Sequence, residues 1–254
     1  MKIATWNVNS LNVRLEQVIE WLNKYKPDVL ALQELKQEQN KFPVNEFEKI
    51  NYHAAWFGQK TYNGVALIAK NEMTDIKYGI TDFDDEQRRV ISATYNNIRF
   101  ICVYCVNGEA VGSEKFIYKQ KWFDALNKHI IYEKNKYGNC VILGDFNIAP
   151  ADIDVYDPQK WQGKILCSDI ERECFNNILT LGFFDGIREL APQEQLFTWW
   201  DYRMNGFKRN LGMRIDHILL TPQLMSRANK FGIDTNARAA ERPSDHAPVW
   251  IECD

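Results

Sequence analysis

Cys140-Val141-Ile142-Leu143-Gly144-Asp145-Phe146-Asn147 is a short apolar run that breaks abruptly into a glycine, an acid and an amide. Its β-branched residues favour a pleated strand, and its lack of alternation suits one buried on both faces. Asp and Asn at a strand end are ordinary turn residues. Here, however, the bulky Phe146 sits between them, which is unlike a solvated turn. The same pattern recurs along the chain. Ile3-Ala4-Thr5-Trp6 runs into Asn7, Val29-Leu30-Ala31-Leu32 into Gln33-Glu34, and Phe100-Ile101-Cys102-Val103 into Tyr104. Two runs carry their polar residues at the start: Arg214-Ile215-Asp216 before His217-Ile218-Leu219-Leu220, and Ser244-Asp245-His246 before Ala247-Pro248-Val249-Trp250-Ile251.

Working outward, strands are predicted at residues 2–8, 28–33, 53–57, 65–70, 90–95, 99–104, 140–143, 214–220 and 247–252. Leu11, Leu15, Val18, Leu22 and Tyr25 recur at helical spacing, as do Phe116, Phe123, Leu126 and Ile130. A third helix is predicted over residues 169–181. Many strands and few helices, only partly alternating, imply mixed sheets with helices outside. The two halves echo each other as strand, helix, then a strand ending in an acid: Glu34 in one, Asp145 in the other.

Where neighbouring strands run antiparallel, the end of one and the start of the next share a sheet edge. All six polar clusters can therefore meet on one edge. They would bring together Glu34, Asp145, Asp216 and Asp245 with His246, Asn7, Asn147 and Tyr104. Converging carboxylates repel unless a cation sits among them. Oxygen ligands without a Cys/His set select a hard ion, Mg²⁺ with Mn²⁺ as a substitute, over zinc.

Bulk properties bound the reading. With 254 residues, 45% of them hydrophobic, and 13 glycines and 8 prolines scattered without a linker, residues 1–254 are expected to form a single domain. The net charge of −3 excludes bulk-charge attraction to a polyanion, so any such partner must be held locally or through a metal. The start of the chain reads as a strand rather than a signal peptide, and no apolar run approaches the roughly 20 residues of a membrane span. A cytoplasmic monomer is the expectation. Cys102 and Cys105 form a C-x-x-C within a strand, where residues three apart face opposite ways. They are expected to be separate buried thiols.

Five blocks carry a family likeness in order: Trp6-Asn7-Val8-Asn9, the Pro27–Lys36 stretch with its Gln33-Glu34-Leu35-Lys36, Gly144-Asp145-Phe146-Asn147, Asn210-Leu211-Gly212-Met213-Arg214-Ile215-Asp216, and Ser244-Asp245-His246-Ala247-Pro248. Together they resemble the exonuclease III family of AP endonucleases, within the wider endonuclease/exonuclease/phosphatase superfamily. The likeness spans residues 1 to 252. It implies a four-layer α/β sandwich, two mixed sheets face to face with helices on both outer sides. It also implies Mg²⁺-dependent hydrolysis of phosphodiester bonds in double-stranded DNA, at abasic sites and at blocked or recessed 3′ ends. By matching position, Glu34 is the principal metal ligand with Asn7 and Asp245 near or on the metal. Asp145 activates water, Asn147 and Tyr104 hold the phosphate, and Asp216 orients His246. The family commonly carries proline two residues after that tyrosine, where Val106 stands here, so a looser loop is expected.

Expected DNA contacts are Lys60, Tyr62, Asn63, Arg88, Arg89, Asn107, Lys115, Arg214 and the Lys208-Arg209-Asn210 loop. Trp199, Met213 and Ile215 are expected to wall an apolar pocket that accepts a flipped-out abasic sugar. Two other classes share parts of this pattern. A superfamily relative acting on RNA, inositol phosphates or sphingomyelin has a similar catalytic set, and a non-catalytic DNA-binding module has the same fold. The basic loop between Phe197 and Gly212 argues for DNA, and the intact acids argue for catalysis.

Overall fold

The computed structural model describes residues 1–254. Its strands are β1 (Lys2–Asn7), β2 (Val29–Gln33), β3 (His53–Phe57), β4 (Val65–Ala69), β5 (Thr74–Tyr78), β6 (Val90–Tyr95), β7 (Ile98–Tyr104), β8 (Cys140–Asp145), β9 (Phe184–Asp185), β10 (Trp199–Trp200), β11 (Gly212–Met213), β12 (Asp216–Leu220), β13 (Ala228–Ile233) and β14 (Val249–Cys253). One six-stranded sheet has the order β13-β14-β1-β2-β4-β3 and the other β5-β6-β7-β8-β12-β9, with β10 and β11 as a separate pair.

Each large sheet has the same centre. A parallel pair, β1–β2 or β7–β8, is joined by a helix and flanked by antiparallel strands on both sides. Those helices are Leu11–Tyr25 and Glu114–Tyr137. The parallel pairs aim both their carboxyl ends at one edge, and the antiparallel neighbours β12 and β14 begin there.

Alternation along each strand sorts side chains into layers. Ile3, Val29 and Leu67 face Ile91, Phe100, Leu143 and Ile218 between the sheets. Ala4, Trp6, Leu30 and Ile68 point the other way, under Leu11, Val18, Trp21 and Leu22 of the first helix. Ile101, Val103, Ile142 and Leu219 lie under Trp122, Phe123, Leu126 and Ile130, with Phe175 and Ile178 of the helix Asp169–Thr180 beside them. The result is a four-layer α/β sandwich, as the likeness implied. Strands β2, β4, β8 and β12 are buried throughout because both of their faces are covered.

Helix ends follow local chemistry. The first helix stops at Lys26, whose left-handed φ of 47° turns its N–H back to the Leu22 carbonyl. The helix Asp169–Thr180 starts from a reciprocal cap between Ser168 and Glu171.

Some expected bounds moved. The strand predicted to end at Leu143 continues to Asp145, carrying the acid on regular pairing. The strand predicted over 214–220 begins only at Asp216. Three edge strands, β5, β9 and β13, and the separate pair β10–β11 were not expected. All six cysteines are free. Cys102 lies between the sheets and Cys105 on the helical side, as the strand periodicity required. No helix is long and apolar enough to cross a membrane.

Candidate active site

The expected edge is real. Registry places Asn7 beside Gln33, and Asp145 between Tyr104 and Asp216. Glu34 follows β2 directly and adopts a left-handed φ of 54°, which costs a non-glycine residue on the order of 1 kcal/mol. Asn147 turns similarly with φ 50°, a conformation asparagine tolerates better.

Asn7 links the two sheets. Its Nδ2 donates to Glu34 Oε1 at 2.8 Å and to Asp145 Oδ2 at 2.9 Å, while its Oδ1 accepts from the Asn9 amide. Asp145 Oδ1 accepts the Asn147 N–H at 2.9 Å. His246 Nδ1 donates to Asp216 Oδ2 at 2.9 Å, and its Nε2 lies 3.7 Å from Asp145 Oδ2. Ser244 fixes the approach to β14 by donating to the Asn7 carbonyl at 2.6 Å and accepting the His246 N–H. Asp245 accepts from Trp199 Nε1 and from Asn9 Nδ2, both at 2.9 Å.

Burial opposes charge on His246, yet Asp216 and Asp145 outweigh it and raise the ring to about 10. The imidazole is therefore protonated at neutral pH and a donor at both nitrogens. Burial pushes the Asp145 carboxyl up to about 7, with Asp216 reinforcing and His246 opposing. Asp145 is thus a more basic carboxylate than usual. Tyr104 is raised well above an ordinary phenol by burial, then by Glu34 and Asp145, and stays a hydroxyl donor.

Glu34, Asp145 and His246 offer ligand atoms that lie within 4.8 Å of one another. His246 Nδ1 is committed to Asp216, and the oxygen donors of the trio are the carboxylates of Glu34 and Asp145. This all-oxygen set fits a hard divalent ion. Asp245 lies in the same cleft but outside the trio, with its oxygens held by Trp199 and Asn9. Lys36 supplies a cation at the acidic cluster, 2.9 Å from Glu34 Oε2.

The cleft has a volume of about 410 Å³. Glu34, Tyr104, Asn107, Asp145, Asn147, Asp245 and His246 form its polar lining, and Trp161, Ile165, Leu166, Trp199 and Ile215 its apolar lining. Trp199 and Ile215 therefore stand where expected. Met213 does not, because it is fully buried behind them, against Val155 and Cys167. Trp161, Ile165, Leu166, Glu109, Asp201 and Arg203 also line the cleft, and sequence reasoning singled out none of them. They come from segments with no strand-end pattern.

Arg214 requires a correction. Expected as a DNA contact, it is 1% exposed. Its guanidinium binds Asp154 Oδ1 at 2.6 Å and Asp185 Oδ2 at 2.7 Å, which leaves it no route to a phosphate. Arg89 is also engaged: it donates to the Tyr104 carbonyl at 3.2 Å and stacks over the Tyr104 ring. Arg88 stacks on Phe57. Asn63 is 4% exposed and donates to Gln59 and Gln87. Lys60 and Lys115 are exposed and pair with Glu38 and Glu109. Asn107 donates to Asn147 Oδ1 at 3.0 Å.

Removing Arg214 should therefore destabilise rather than weaken binding. Arg214→Met should cost about 3–5 kcal/mol at neutral pH, because two buried carboxylates lose their cation. Burial alone would raise Asp185, but Arg214 and His217 hold it well below the usual carboxylate range. A depressed carboxylate stabilises fully above its unfolded value of about 3.9 and loses that contribution as pH falls through the folded one. The deficit of the variant in urea unfolding should thus shrink on acidification. An unchanged midpoint at pH 7 would contradict the network.

A model of the Endonuclease/Exonuclease/phosphatase family matches residues 4–246. Exodeoxyribonuclease III of Haemophilus influenzae is 37% identical, over 99% of this chain and 99% of that protein. Among solved structures, the 3′ phosphatase NExo from Neisseria, bound to a product DNA hairpin, is 52% identical with a TM-score of 0.99, covering 100% of this chain and 99% of that one. An AP endonuclease from Archaeoglobus fulgidus is 39% identical with a TM-score of 0.96, again covering 100% and 99%. With its two face-to-face sheets and its acid, amide and imidazole edge, the chain belongs to the endonuclease/exonuclease/phosphatase family.

Proposed function

We propose that the protein is a divalent-metal-dependent DNA-repair nuclease, one catalytic domain that acts in the cytoplasm as a monomer. It hydrolyses phosphodiester bonds in duplex DNA at abasic sites and processes 3′ ends as exonuclease and 3′-phosphatase. The carrying observation is the buried array of Asp145 with the Asp216–His246 pair opposite Glu34, bridged by Asn7. The relatives support DNA as the substrate class over RNA, inositol phosphate or sphingomyelin.

Asp145 takes a proton from the attacking water at Oδ2 as the water oxygen bonds to phosphorus; the P–O bond to the 3′ oxygen breaks on the opposite side, and that oxygen leaves with a proton drawn from solvent. Protonated His246 and the Tyr104 hydroxyl donate to the phosphate oxygens as charge builds on them, and Asn147 Nδ2 joins them by exchanging its 3.3 Å bond to Asp145 Oδ2 for the phosphate. Asp216 keeps the imidazole charged and aimed. Mg²⁺ or Mn²⁺ bound at Glu34 and Asp145, with Asn7 and Asp245 nearby, would polarise the phosphate. Tyr62, the exposed lysines 60 and 115, and the 208–210 loop are proposed to contact the DNA backbone, and Asn63, Arg88 and Arg89 to shape that surface.

The apolar side of the cleft is proposed to receive an extruded sugar. Trp199→Ala should lower cleavage at abasic sites by about 10-fold or more relative to removal of a 3′-phosphate, the scale of one lost pocket contact. The substitution also removes a donor from Asp245. Trp199→Phe keeps the wall and drops only that donor, so it separates the two effects. Rates on an abasic duplex, a recessed 3′ end and a 3′-phosphate test the proposal. Equal losses on all three by both variants would sink the pocket assignment.

A further inference from the structure

Lys119 is almost fully buried on the helix Glu114–Tyr137, at 1% exposure. A buried ammonium needs all of its protons used, and this one uses them. Nζ donates to the Asn147 carbonyl at 2.8 Å, to the Asn107 carbonyl at 3.1 Å and to Glu171 Oε1 at 2.5 Å. Glu171 in turn accepts from the Leu166 and Ser168 amides and from the Ser168 hydroxyl. One ion pair thus fastens three separate loops that border the cleft. Two of them turn through left-handed residues, Asn147 with φ 50° and Leu166 with φ 72°.

The Asn107 and Asn147 side chains meet in front of this pair. Asn107 Nδ2 donates to Asn147 Oδ1, and Asn147 Nδ2 donates to the Cys105 carbonyl at 3.0 Å and to Asp145 Oδ2 at 3.3 Å. The loop after Tyr104, expected to be loose without its proline, is instead tied down by Lys119 and by Ser113, which donates to the Gly108 carbonyl at 2.9 Å.

We infer that Lys119, paired with Glu171, is a positioning residue that holds the Asn107–Asn147 amide pair in register with Asp145 and so sets the rate of the chemical step rather than DNA affinity. The inference rests on the function proposed above. An ammonium delivers three protons in tetrahedral directions, whereas the planar guanidinium fork of arginine does not. Lysine is therefore required for geometry and not for charge alone.

The experiment is a double-mutant cycle in the full chain, read as kcat and DNA affinity on a 3′-phosphate duplex. Lys119→Met/Glu171→Gln removes the ammonium without stranding a buried carboxylate. It should lower kcat about 10–100-fold, the usual effect of losing a group that orients a functional one, with affinity changed less than about 3-fold. Lys119→Arg should lose about 10-fold, and it carries the cycle if the paired variant does not fold. In an Asn147→Ala background either change should cost less than about 3-fold, because its effect passes through Asn147. Additive losses, a loss confined to affinity, or wild-type kcat in Lys119→Arg would overturn the inference and leave the proposed function standing. Wild-type kcat in Asn147→Ala would overturn the inference together with the role proposed for Asn147, whereas a wild-type chain inactive on every DNA substrate would overturn the proposed function itself.

Discussion

Asp145→Asn should lower kcat by about 10²–10⁴-fold, the contribution of a positioned general base, while duplex DNA binds nearly as before. Burial raises the Asp145 carboxyl and makes it a stronger base than an ordinary carboxylate. An amide of the same size cannot take the water's proton. The substitution also removes one buried negative charge beside His246, which lowers the imidazole's affinity for its proton. Asp216 remains at 2.9 Å, so the ring stays charged at neutral pH. Local geometry is slightly perturbed. The new Nδ2 or Oδ1 must face Asn7 and Asn147, which now donate to both carboxylate oxygens. Ground-state affinity, measured by equilibrium titration, should therefore fall by only a few fold while single-turnover rates collapse. A variant retaining more than about a tenth of wild-type kcat would assign the base elsewhere.

Glu34→Ala should lower activity by about 10²–10³-fold at low Mg²⁺, the scale of one lost electrostatic stabiliser. Part of the loss should return as Mg²⁺ is raised, because Asp145 keeps its oxygens. The substitution also frees Lys36, whose Nζ now touches both Glu34 and Asn9 Oδ1. With Glu34 gone, that cation remains on Asn9 Oδ1 at the acidic edge without its carboxylate partner, and its charge opposes the metal's. Glu34→Ala/Lys36→Met should accordingly need less Mg²⁺ than Glu34→Ala alone. Chelation should silence the wild type, with Mn²⁺ restoring it. Calcium should restore it poorly, since it prefers longer bonds and more ligands. Full activity in the presence of excess chelator is the result that would remove the metal from the proposal.

The site was legible because its grammar is topological. A buried strand ending in an unexpected polar residue marks a sheet edge, and Asn7, Glu34, Tyr104, Asp145, Asp216 and His246 all obey that rule. Period-two alternation likewise put Cys102 and Cys105 on opposite faces. The illegible parts have physical reasons. β5 and β13 are edge strands whose residues are mostly exposed or half-exposed, so neither buried runs nor alternation marks them. Arg214 read as a nucleic-acid contact because it lies in the Asn210–Asp216 block that carries the likeness to the nucleases. Its true partners, Asp154 and Asp185, lie 60 and 29 residues away in sequence and cannot be foreseen from spacing. Met213 was misplaced by one layer, since alternation in a two-residue strand fixes no face. The Lys119–Glu171 pair was invisible for a different reason: Lys119 sits in a helix whose charged residues otherwise read as solvated.

The first sheet is assembled from both ends of the chain. β1 to β4 come early, while β13 and β14 come last, with β14 pairing directly along β1. The second sheet is made wholly from the residues between. On a ribosome, then, the central half emerges and can fold while the first sheet still lacks its inner neighbour for β1. His246 and the Ser244 clasp on Asn7 arrive only with the final stretch. A nascent chain that already carries Glu34 and Asp145 must add the 101 positions from Asp145 to His246 before the imidazole joins them. In order of synthesis, the polar edge shared by the two sheets is complete only once β14 pairs along β1.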